Sequence, residues 1–205
     1  MEIQPKAEVE PSQSTVSEPF APAMRPRRPL VFVGLMGAGK TSVGRRVAAL
    51  LGIPFLDTDE RIVAAAGMSI PDIFEAYGET AFRDVERRVI GNLFDEPVSV
   101  LAYGGGAFMD AATRLLTLER AYSIWLRADI DTLVARTSRK KGTRPLLEAG
   151  DPREILHNLS AERGPIYAQA SLTVDTGEQT AQELAIDIVA QLRALGWLET
   201  PAPAS

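Results

Sequence analysis

The sequence predicts an α/β fold in which helices cover a parallel β-sheet. Short apolar runs alternate along the chain with longer segments whose apolar residues recur at helical spacing, and this alternation is typical of βαβ units. A glycine-rich segment follows the first apolar run directly and leads into a segment of helical period. The length of 205 residues and the hydrophobic fraction of 45% suit one compact domain with a single core.

Five of the apolar runs are predicted to be strands. They lie at residues 30–35, 54–58, 98–103, 122–126 and 172–175. Behind the first strand, Val43 and Val47 are four positions apart on one helical face, and Gly52 follows as a C-terminal cap. Ligands of open α/β sheets bind outside the carboxyl ends of the strands, so we expect the functional residues at that edge.

Both ends of the chain are predicted to lie outside the folded domain. Residues 1–29 are rich in Pro, Ser, Glu and Ala, so they bury too little apolar surface to offset chain entropy, and we expect a disordered tail. Residues 200–205 are expected to form a second, shorter tail, which leaves residues 30–199 for the domain. The first tail ends in a basic cluster, which is either a solvated linker, the interpretation we favour, or a contact for a partner: Arg25, Arg27 and Arg28.

The composition argues against several functional classes. Lys and Arg number 22 against 27 Asp and Glu, and the net charge of -5 is opposite in sign to that expected of a nucleic-acid-binding protein. The chain has no cysteine and a single histidine, His157, which excludes disulfides, cysteine-ligated zinc and a histidine metal cluster. No apolar run approaches the roughly 18 residues that span a bilayer, and the N-terminal residues lack a secretory signal. We therefore expect a cytoplasmic protein without nucleic-acid or membrane partners.

The glycine-rich segment matches the phosphate-binding motif G-x-x-x-x-G-K-[ST]. It reads GLMGAGKT at residues 34–41, between the first strand and a helix, which is the context that the motif requires. The backbone N–H groups of such a loop hold phosphates, so Lys40 is predicted to reach the β- and γ-phosphates of a nucleotide. The Thr41 hydroxyl is an oxygen ligand suited to Mg²⁺. The alternative is a glycine-rich turn that fits the motif by chance.

Two carboxylates, Asp57 and Asp59, end the second predicted strand. Because side chains alternate in an extended chain, both are expected to face the same side. One carboxylate near Mg²⁺ and another near an acceptor hydroxyl would suit phosphoryl transfer, in which positioning and charge stabilisation dominate. The alternative is an aspartate that only caps the helix that follows.

A helical region follows the acidic pair. The segment that begins at Ser69 is typical of a helix start, Gly78 of a stop, and residues 79–94 of a second helix. Arg83 and Glu86 are three positions apart on that helix, so the carboxylate can hold the guanidinium in a fixed orientation. An arginine held in this way suits a substrate carboxylate, although the local sequence alone favours an ordinary surface ion pair.

The third strand runs into three consecutive glycines, Gly104, Gly105 and Gly106. Without Cβ atoms, their backbone permits very close approach of a ligand. We therefore expect a wall of the substrate site at these positions. The alternative is a flexible bend in the chain.

A basic segment, SRKKGTRPLLEAGD at residues 138–151, is predicted to be a lid over the nucleotide. Arg144, fixed next to Pro145, is the candidate for stabilising the phosphoryl group during transfer. Beyond the lid, Gly164 and Pro165 are expected to break a helix and to leave Arg163 near its end. Arg163 then either clamps the substrate or interacts with the helix dipole, and the local sequence favours the dipole.

Taken in order, these motifs resemble those of the shikimate kinase family. The matching segments span about residues 30–195 and are GLMGAGKTSVGR, FLDTDE, SIPDIF, YGETAFRDVE, GGGA, RPLL and ERGPIY. The phosphate-binding motif is shared by many enzymes, whereas DTD, GE-x-x-FR-x-x-E, GGG and RPLL are far more particular. The resemblance implies a P-loop fold like that of nucleoside monophosphate kinases, with a five-stranded parallel sheet in the order 2-3-1-4-5. It also implies a mobile lid and a small substrate-binding helical region at residues 59–94.

The resemblance further implies an activity. The enzyme would transfer the γ-phosphoryl group of ATP to the 3-hydroxyl of shikimate, with Mg²⁺ as cofactor, in the biosynthesis of chorismate and the aromatic amino acids. The expected partners are shikimate and ATP, and the expected form is a monomer. Two alternatives stay open. One is a related P-loop kinase for a small molecule such as gluconate, because the nucleotide half of the site is generic. The other is a nucleotide-binding regulator that has lost its chemistry.

The resemblance also assigns roles to the matching positions. The residues implied in catalysis are Lys40, Asp59 and Arg144. The residues implied in ATP binding are Gly37, Ala38, Gly39, Lys40, Thr41, Ser42, Arg144 and Arg136, the last of which would stack on adenine. Shikimate would be held by Asp59, Arg83, Gly104, Gly105, Gly106 and Arg163, with Glu86 supporting Arg83. The Mg²⁺ ligands would be Thr41 and Asp57.

Overall fold

A five-stranded parallel sheet forms the centre of the protein, in a computed structural model that describes residues 24–138 and 150–200. The strands are β1 (Leu30–Val33), β2 (Phe55–Asp57), β3 (Val100–Ala102), β4 (Tyr122–Ala128) and β5 (Leu172–Thr176). Their order across the sheet is β2-β3-β1-β4-β5, and every neighbouring pair is parallel. Both the five predicted strands and the predicted order 2-3-1-4-5 are confirmed.

The strand ends differ from the predicted ones for local reasons. The first strand was expected to reach residue 35, but it ends at Val33 because Gly34, with φ of 135°, already turns the chain. The second ends at Asp57 because a helix begins at Thr58. The third is shorter than expected, and the fourth and fifth extend beyond their predicted ends.

Helices flank this sheet. They are α1 (Lys40–Leu51), α2 (Thr58–Ala66), α3 (Ile70–Leu93), α4 (Ala111–Arg120), α5 (Ile130–Ser138), α6 (Pro152–Tyr167) and α7 (Ala181–Ala194), with a 3-10 turn at Ala107–Met109. As predicted, Gly52 caps the end of α1, with φ of 62°. Within the two described ranges, no helix is both long and apolar enough to cross a membrane.

The core lies on the central strand. All four residues of β1 are fully buried, and the main apolar cluster surrounds them. A second, smaller apolar cluster joins α2 to α3 and consists of Ile62, Ile73 and Phe82. The region predicted at residues 59–94 to bind substrate therefore has a small core of its own beside the sheet.

The helix start and stop predicted in that region are present inside α3. The Ser69 side chain accepts a hydrogen bond from the Asp72 N–H at 3.3 Å and caps the start. Gly78 interrupts the helix with φ of 78° and ψ of 175°, a conformation that is essentially restricted to glycine. The helix is therefore kinked at Gly78, and the part after the kink carries Arg83 and Glu86.

The ends of the domain pair with each other, so the predicted tail boundary at residue 29 is wrong. Arg25–Pro26 forms a short antiparallel strand pair with Leu198–Glu199. The Arg27 guanidinium lies 3.0 Å from the Glu199 carboxylate, and Arg28 donates to the Glu119 carbonyl oxygen at 2.8 Å. The composition of the tail hid this pairing because its hydrogen bonds require a partner strand from the other end of the chain. Residues 1–23 and 201–205 lie outside the described part.

The helix that carries Arg163 does not break at Gly164 and Pro165. Helix α6 continues through Pro165 to Tyr167, which places Arg163 inside the helix rather than at its end. Proline removes one helical hydrogen bond, yet the helix on both sides of it packs into the fold. The predicted lid lies between α5 and α6, as expected, but residues 139–149, including Arg144, lie outside the described residues.

Two glycines of α3 allow a matched test of the backbone conformation. Replacement of Gly78 by Ala is expected to destabilise the protein by about 1–3 kcal/mol, because alanine is strained in this conformation although no heavy atom lies within 4 Å of a Cβ there. Replacement of Gly91 by Ala, in the helical part, is expected to stabilise it by about 0.5–1 kcal/mol. Urea unfolding of both variants measures the two changes in the free energy of unfolding. Equal changes would contradict the helix interruption at Gly78.

Candidate active site

The phosphate-binding motif forms a glycine turn between β1 and α1. Gly37 and Gly39 have φ of 85° and 99°, values that favour glycine, and Gly39 is the N-terminal cap of α1. A Cβ atom on Gly37 would lie 2.9 Å from a methyl carbon of Thr137, so α5 packs closely against the loop. The Lys40 ammonium donates to the carbonyl oxygens of Gly34 at 2.8 Å and Leu35 at 3.1 Å. The helix N-terminus and the lysine thus place positive charge in one turn, which suits phosphate groups.

Asp57 connects this turn to the second strand. The Thr41 hydroxyl donates to Asp57 Oδ2 at 3.1 Å, and Asp57 Oδ1 accepts from the Asp59 N–H at 3.1 Å as the cap of α2. The sequence left open whether an aspartate here caps the helix or belongs to the site. Asp57 does both, since it caps α2 and also contacts Thr41 of the phosphate loop. In the described ranges no group of three or more acidic or histidine side chains is placed to hold a metal. One carboxylate beside one hydroxyl nevertheless fits Mg²⁺, which takes few protein ligands and keeps waters and phosphates.

Asp59 is close to Asp57, but not for the predicted reason. It lies in the first turn of α2 and not in an extended strand, so the alternation of side chains does not apply. Burial raises the pKa of the Asp59 carboxyl, the charge of Asp57 raises it further, and Lys40 and Arg83 oppose the rise. A carboxylate with a raised pKa is a stronger base, which is useful for deprotonating a hydroxyl.

Two glycines after β3 lie directly against predicted substrate-binding side chains. A Cβ atom on Gly104 would overlap Asp59 Oδ1. A Cβ atom on Gly106 would lie 2.7 Å from Arg83 Nη2 and 3.0 Å from Nη1. The space freed by the missing side chains was expected to admit a ligand, but here the protein's own carboxylate and guanidinium fill it.

Gly105, between them, holds the second arginine. Arg163 Nη1 donates to the Gly105 carbonyl oxygen at 3.0 Å. Tyr167, one turn later in α6, donates its hydroxyl to the same oxygen at 2.7 Å. The glycine segment therefore brings a carboxylate from α2 and guanidiniums from α3 and α6 to one wall.

Arg83 is held by two carboxylates of its own helix. Its Nη1 lies 2.6 Å from Glu86 Oε2, and its Nη2 lies 3.2 Å from Glu79 Oε1. The Glu86 side chain is only 2% exposed, so the ion pair predicted from the spacing forms, but it is not a surface pair. Burial raises the pKa of Glu86, and the hydrogen bond and charge of Arg83 oppose the rise. Removing Arg83 would leave the charge of Glu86 buried and unpaired.

Thr58 connects the acidic segment to the glycines, and sequence reasoning missed it. This fully buried residue donates its hydroxyl to the Ala102 carbonyl oxygen at 3.2 Å and accepts from the Gly104 N–H at 3.1 Å. It fixes α2, and with it Asp59, to the end of β3. Tyr167 was missed as well. The helical spacing between Arg163 and Tyr167 was a usable signal, but the acceptor they share, Gly105, lies far away in the sequence.

Arg136 lies between the phosphate loop and the end of β5. Its guanidinium donates to the Thr176 hydroxyl at 3.2 Å, to the Gly177 carbonyl oxygen at 2.6 Å and, at 3.5 Å, to the Ala38 carbonyl oxygen. These contacts anchor the guanidinium plane beside the loop. An anchored plane of this kind is able to stack on a base.

Comparison with known proteins identifies the family. The family model described as shikimate kinase matches residues 36–193. The chain belongs to the shikimate kinase family. It is 54% identical to the shikimate kinase of Novosphingobium aromaticivorans over 176 residues, which covers 83% of this chain and 89% of the relative. It is 51% identical to the shikimate kinase of Caulobacter vibrioides over 174 residues, which covers 85% of each.

A solved structure agrees with this assignment. The shikimate kinase of Acinetobacter baumannii, solved in complex with shikimate, has a TM-score of 0.77 and 38% identity and covers 82% of this chain and 94% of its own. The protein is thus an ATP-dependent small-molecule kinase of the P-loop class, and its function is that of a shikimate kinase. The predicted family, fold and enzyme class are confirmed, and the gluconate kinase and regulator alternatives are not favoured.

The close packing of Gly106 and Arg83 generates a prediction. Replacement of Gly106 by Ala is expected to displace the guanidinium and to raise the KM for shikimate about tenfold or more, the effect of weakening one charge-assisted hydrogen bond. The KM for ATP should stay unchanged. The control is Gly164→Ala, next to Arg163, where a Cβ atom would meet no heavy atom within 4 Å. Steady-state kinetics measure both, and equal effects in the two variants would contradict the packing argument.

Proposed function

We propose that this site phosphorylates the 3-hydroxyl of shikimate with ATP and Mg²⁺, and that the residues around the three glycines bind and orient this polyhydroxylated carboxylate. The observation that carries the proposal is the convergence of Asp59, Arg83 and Arg163 on Gly104, Gly105 and Gly106. An acceptor with one carboxylate and several hydroxyls needs this combination of cations, a base and backbone groups. Asp57 connects the phosphate loop to the same wall, since it accepts hydrogen bonds from the Thr41 hydroxyl and from the Asp59 N–H.

In this proposal, the two arginines bind the carboxylate of shikimate. Arg83 is oriented by Glu86 and Glu79, and Arg163 by Gly105. Guanidiniums held in fixed orientations favour two parallel hydrogen bonds to a carboxylate, which sets the direction of the ring. The ring hydroxyls would then contact the glycine backbone and Asp59.

The chemical step is a displacement at the γ-phosphorus. Asp59 takes the proton of the 3-hydroxyl, the hydroxyl oxygen forms a bond to the γ-phosphorus, and the bond to the bridging oxygen of ADP breaks. The products are shikimate 3-phosphate, ADP and one proton. Lys40 and the loop N–H groups, from Gly37 to Ser42, hold the phosphates in line with the hydroxyl.

Thr41 and Asp57 are the residues proposed to hold Mg²⁺. When bound with ATP, the ion would neutralise phosphate charge. We further propose that Arg136 stacks on adenine, because its contacts fix its plane beside the loop. The role of Arg144 at the transferring phosphoryl group remains a prediction from the sequence.

An assay of the purified protein tests the proposed reaction. ADP release, coupled to NADH oxidation, is expected to need ATP, Mg²⁺ and shikimate together, with gluconate giving a rate at least about a hundredfold lower, because gluconate lacks the ring that fixes its hydroxyls. Equal rates on gluconate would favour the related-kinase alternative. Binding of shikimate and ATP without ADP release would favour the regulator alternative.

The raised pKa of Asp59 generates a second test. The Asp59→Asn variant is expected to lose roughly a hundredfold or more in kcat, because it removes a general base, with ATP affinity nearly unchanged. In the wild type, a raised folded-state pKa means that the native state binds the proton more tightly, so this group destabilises the protein as pH rises through that pKa.

The stability of the asparagine variant should therefore equal or exceed that of the wild type at neutral pH, and the difference should shrink as the pH falls. Thermal unfolding across pH measures this trend, and kinetics measure the turnover. Full activity in the variant, or a stability difference that grows on acidification, would show that Asp59 is not a general base with a raised pKa.

A further inference from the structure

Tyr167 is a buried residue of α6 that the proposed reaction does not yet use. Its side chain packs against two aromatic rings, with ring centroids 5.9 Å from Trp125 and 6.4 Å from Phe108. The residue is 2% exposed. Its hydroxyl donates to the Gly105 carbonyl oxygen at 2.7 Å and lies beside the Arg163 side chain. Packing thus determines where the hydroxyl lies.

Burial favours the protonated hydroxyl, which is a hydrogen-bond donor. Burial raises the pKa of Tyr167 to about 12, against the lowering effect of the charge of Arg163. A neutral phenol beside a guanidinium can share a carbonyl oxygen with it. The Gly105 oxygen accordingly accepts from both Tyr167 and Arg163, and two donors satisfy both lone pairs of a carbonyl oxygen.

Two fixed donors on one oxygen set the orientation of a whole peptide group. No cis peptide bond occurs in the described residues, so the Gly106 N–H points opposite to the Gly105 carbonyl. That carbonyl points toward α6, and the N–H is therefore turned away from α6. The hydrogen bond from the Ala107 N–H to the Gly104 carbonyl oxygen, at 3.2 Å, closes a turn around this peptide. The two donors of α6 add a second restraint, from outside the glycine segment.

The same oxygen also orients Arg163. The hydrogen bond from Nη1 to the Gly105 carbonyl oxygen restrains this end of the guanidinium, whereas its buried Nε has no hydrogen-bond partner among the described residues. Tyr167 and Arg163 are one helical turn apart, so their donors approach the oxygen from one rigid element. Their distance from each other is then fixed by α6 and not by the glycine segment.

We propose that Tyr167 is a positioning residue for shikimate binding, which fixes the Gly105 peptide and through it the Gly106 N–H and the Arg163 guanidinium. This inference rests on the proposed function of the same site. The hydroxyl touches no substrate atom in this proposal and acts only through its neighbours. Its loss should therefore weaken shikimate binding and leave the ATP half of the site intact.

A matched pair of tyrosines tests the inference. Tyr167→Phe removes the hydroxyl and keeps the stacked ring. Tyr103→Phe makes the same change at a tyrosine that is equally buried and precedes Gly104, but whose hydroxyl lies 2.8 Å from Thr117 Oγ1, in α4. Calorimetric titration gives the Kd for shikimate, coupled kinetics give kcat and both KM values, and thermal unfolding gives the stability of each variant.

The expected result is selective. Tyr167→Phe should raise the Kd and KM for shikimate about threefold to tenfold, the range that one ordinary hydrogen bond allows, with the KM for ATP unchanged. The rise should be the same at neutral and at mildly alkaline pH, since Tyr167 stays protonated. Tyr103→Phe should leave both KM values unchanged. In an Arg163→Ala background, Tyr167→Phe should have a smaller effect, because part of its action passes through Arg163.

Other results would overturn the inference. Unchanged shikimate affinity in Tyr167→Phe, an equal loss in Tyr103→Phe, or loss of the folded state in Tyr167→Phe alone would each assign the hydroxyl to stability. These outcomes differ from failure of the proposed function, in which the wild-type protein itself would release no ADP with shikimate.

Discussion

The site depends on three consecutive residues without a Cβ atom. At Gly104 and Gly106, the volume of a single methyl group is already taken by a carboxylate oxygen and a guanidinium nitrogen. Side chains from α2 and α3 can lie on the end of β3 only because the backbone there is bare. Gly105 contributes differently, since its carbonyl oxygen is the acceptor that connects α6 to the wall. Side chains of α2, α3 and α6, which are far apart in the sequence, thereby contact the same three-residue segment of backbone.

Charge balance explains why this wall is stable with so many ionised groups. Arg83 lies between the buried Glu86 and the exposed Glu79, so its charge is compensated before any ligand binds. Asp59 has weaker compensation, because burial and Asp57 both act against its ionised form. Enzymes commonly keep such a poorly stabilised group where chemistry takes place, and the rest of the fold supplies the stability that the group removes. The main apolar cluster around β1 contributes this stability.

The sequence was sufficient wherever a short segment determines its own structure. The glycine turn, the cap at Gly52, the helix stop at Gly78 and the strand order that the family resemblance implied were all predicted, because each has a local or family signature. The predictions failed where a distant partner decides. The strand at Arg25–Pro26 depends on Leu198–Glu199, at the other end of the domain.

Other site features were hidden for related reasons. Asp59 was correctly predicted to lie near Asp57, but it was expected in a strand. It lies in a helix instead, because α2 begins at Thr58, whose buried hydroxyl is bonded to Ala102. Pro165 was expected to end α6, but tertiary contacts of Tyr167 outweigh the loss of one hydrogen bond. Thr58 and Tyr167 were missed because a hydroxyl has no signature in sequence until its acceptor is known. Their acceptors, Ala102 and Gly105, are 44 and 62 residues away.

The pairing of the two terminal strands has a consequence for engineering. Trp197 stacks on Tyr122, the first residue of β4, at 4.1 Å between ring centroids, so both ends of the domain meet at the amino edge of the sheet. The groups proposed to react lie at the opposite edge, after β1, β2 and β3. A short peptide that joins residue 24 to residue 200 would close the domain into a ring at the edge away from the proposed site. New termini could then be opened in a surface connection elsewhere, giving circularly permuted enzymes that keep the catalytic wall intact.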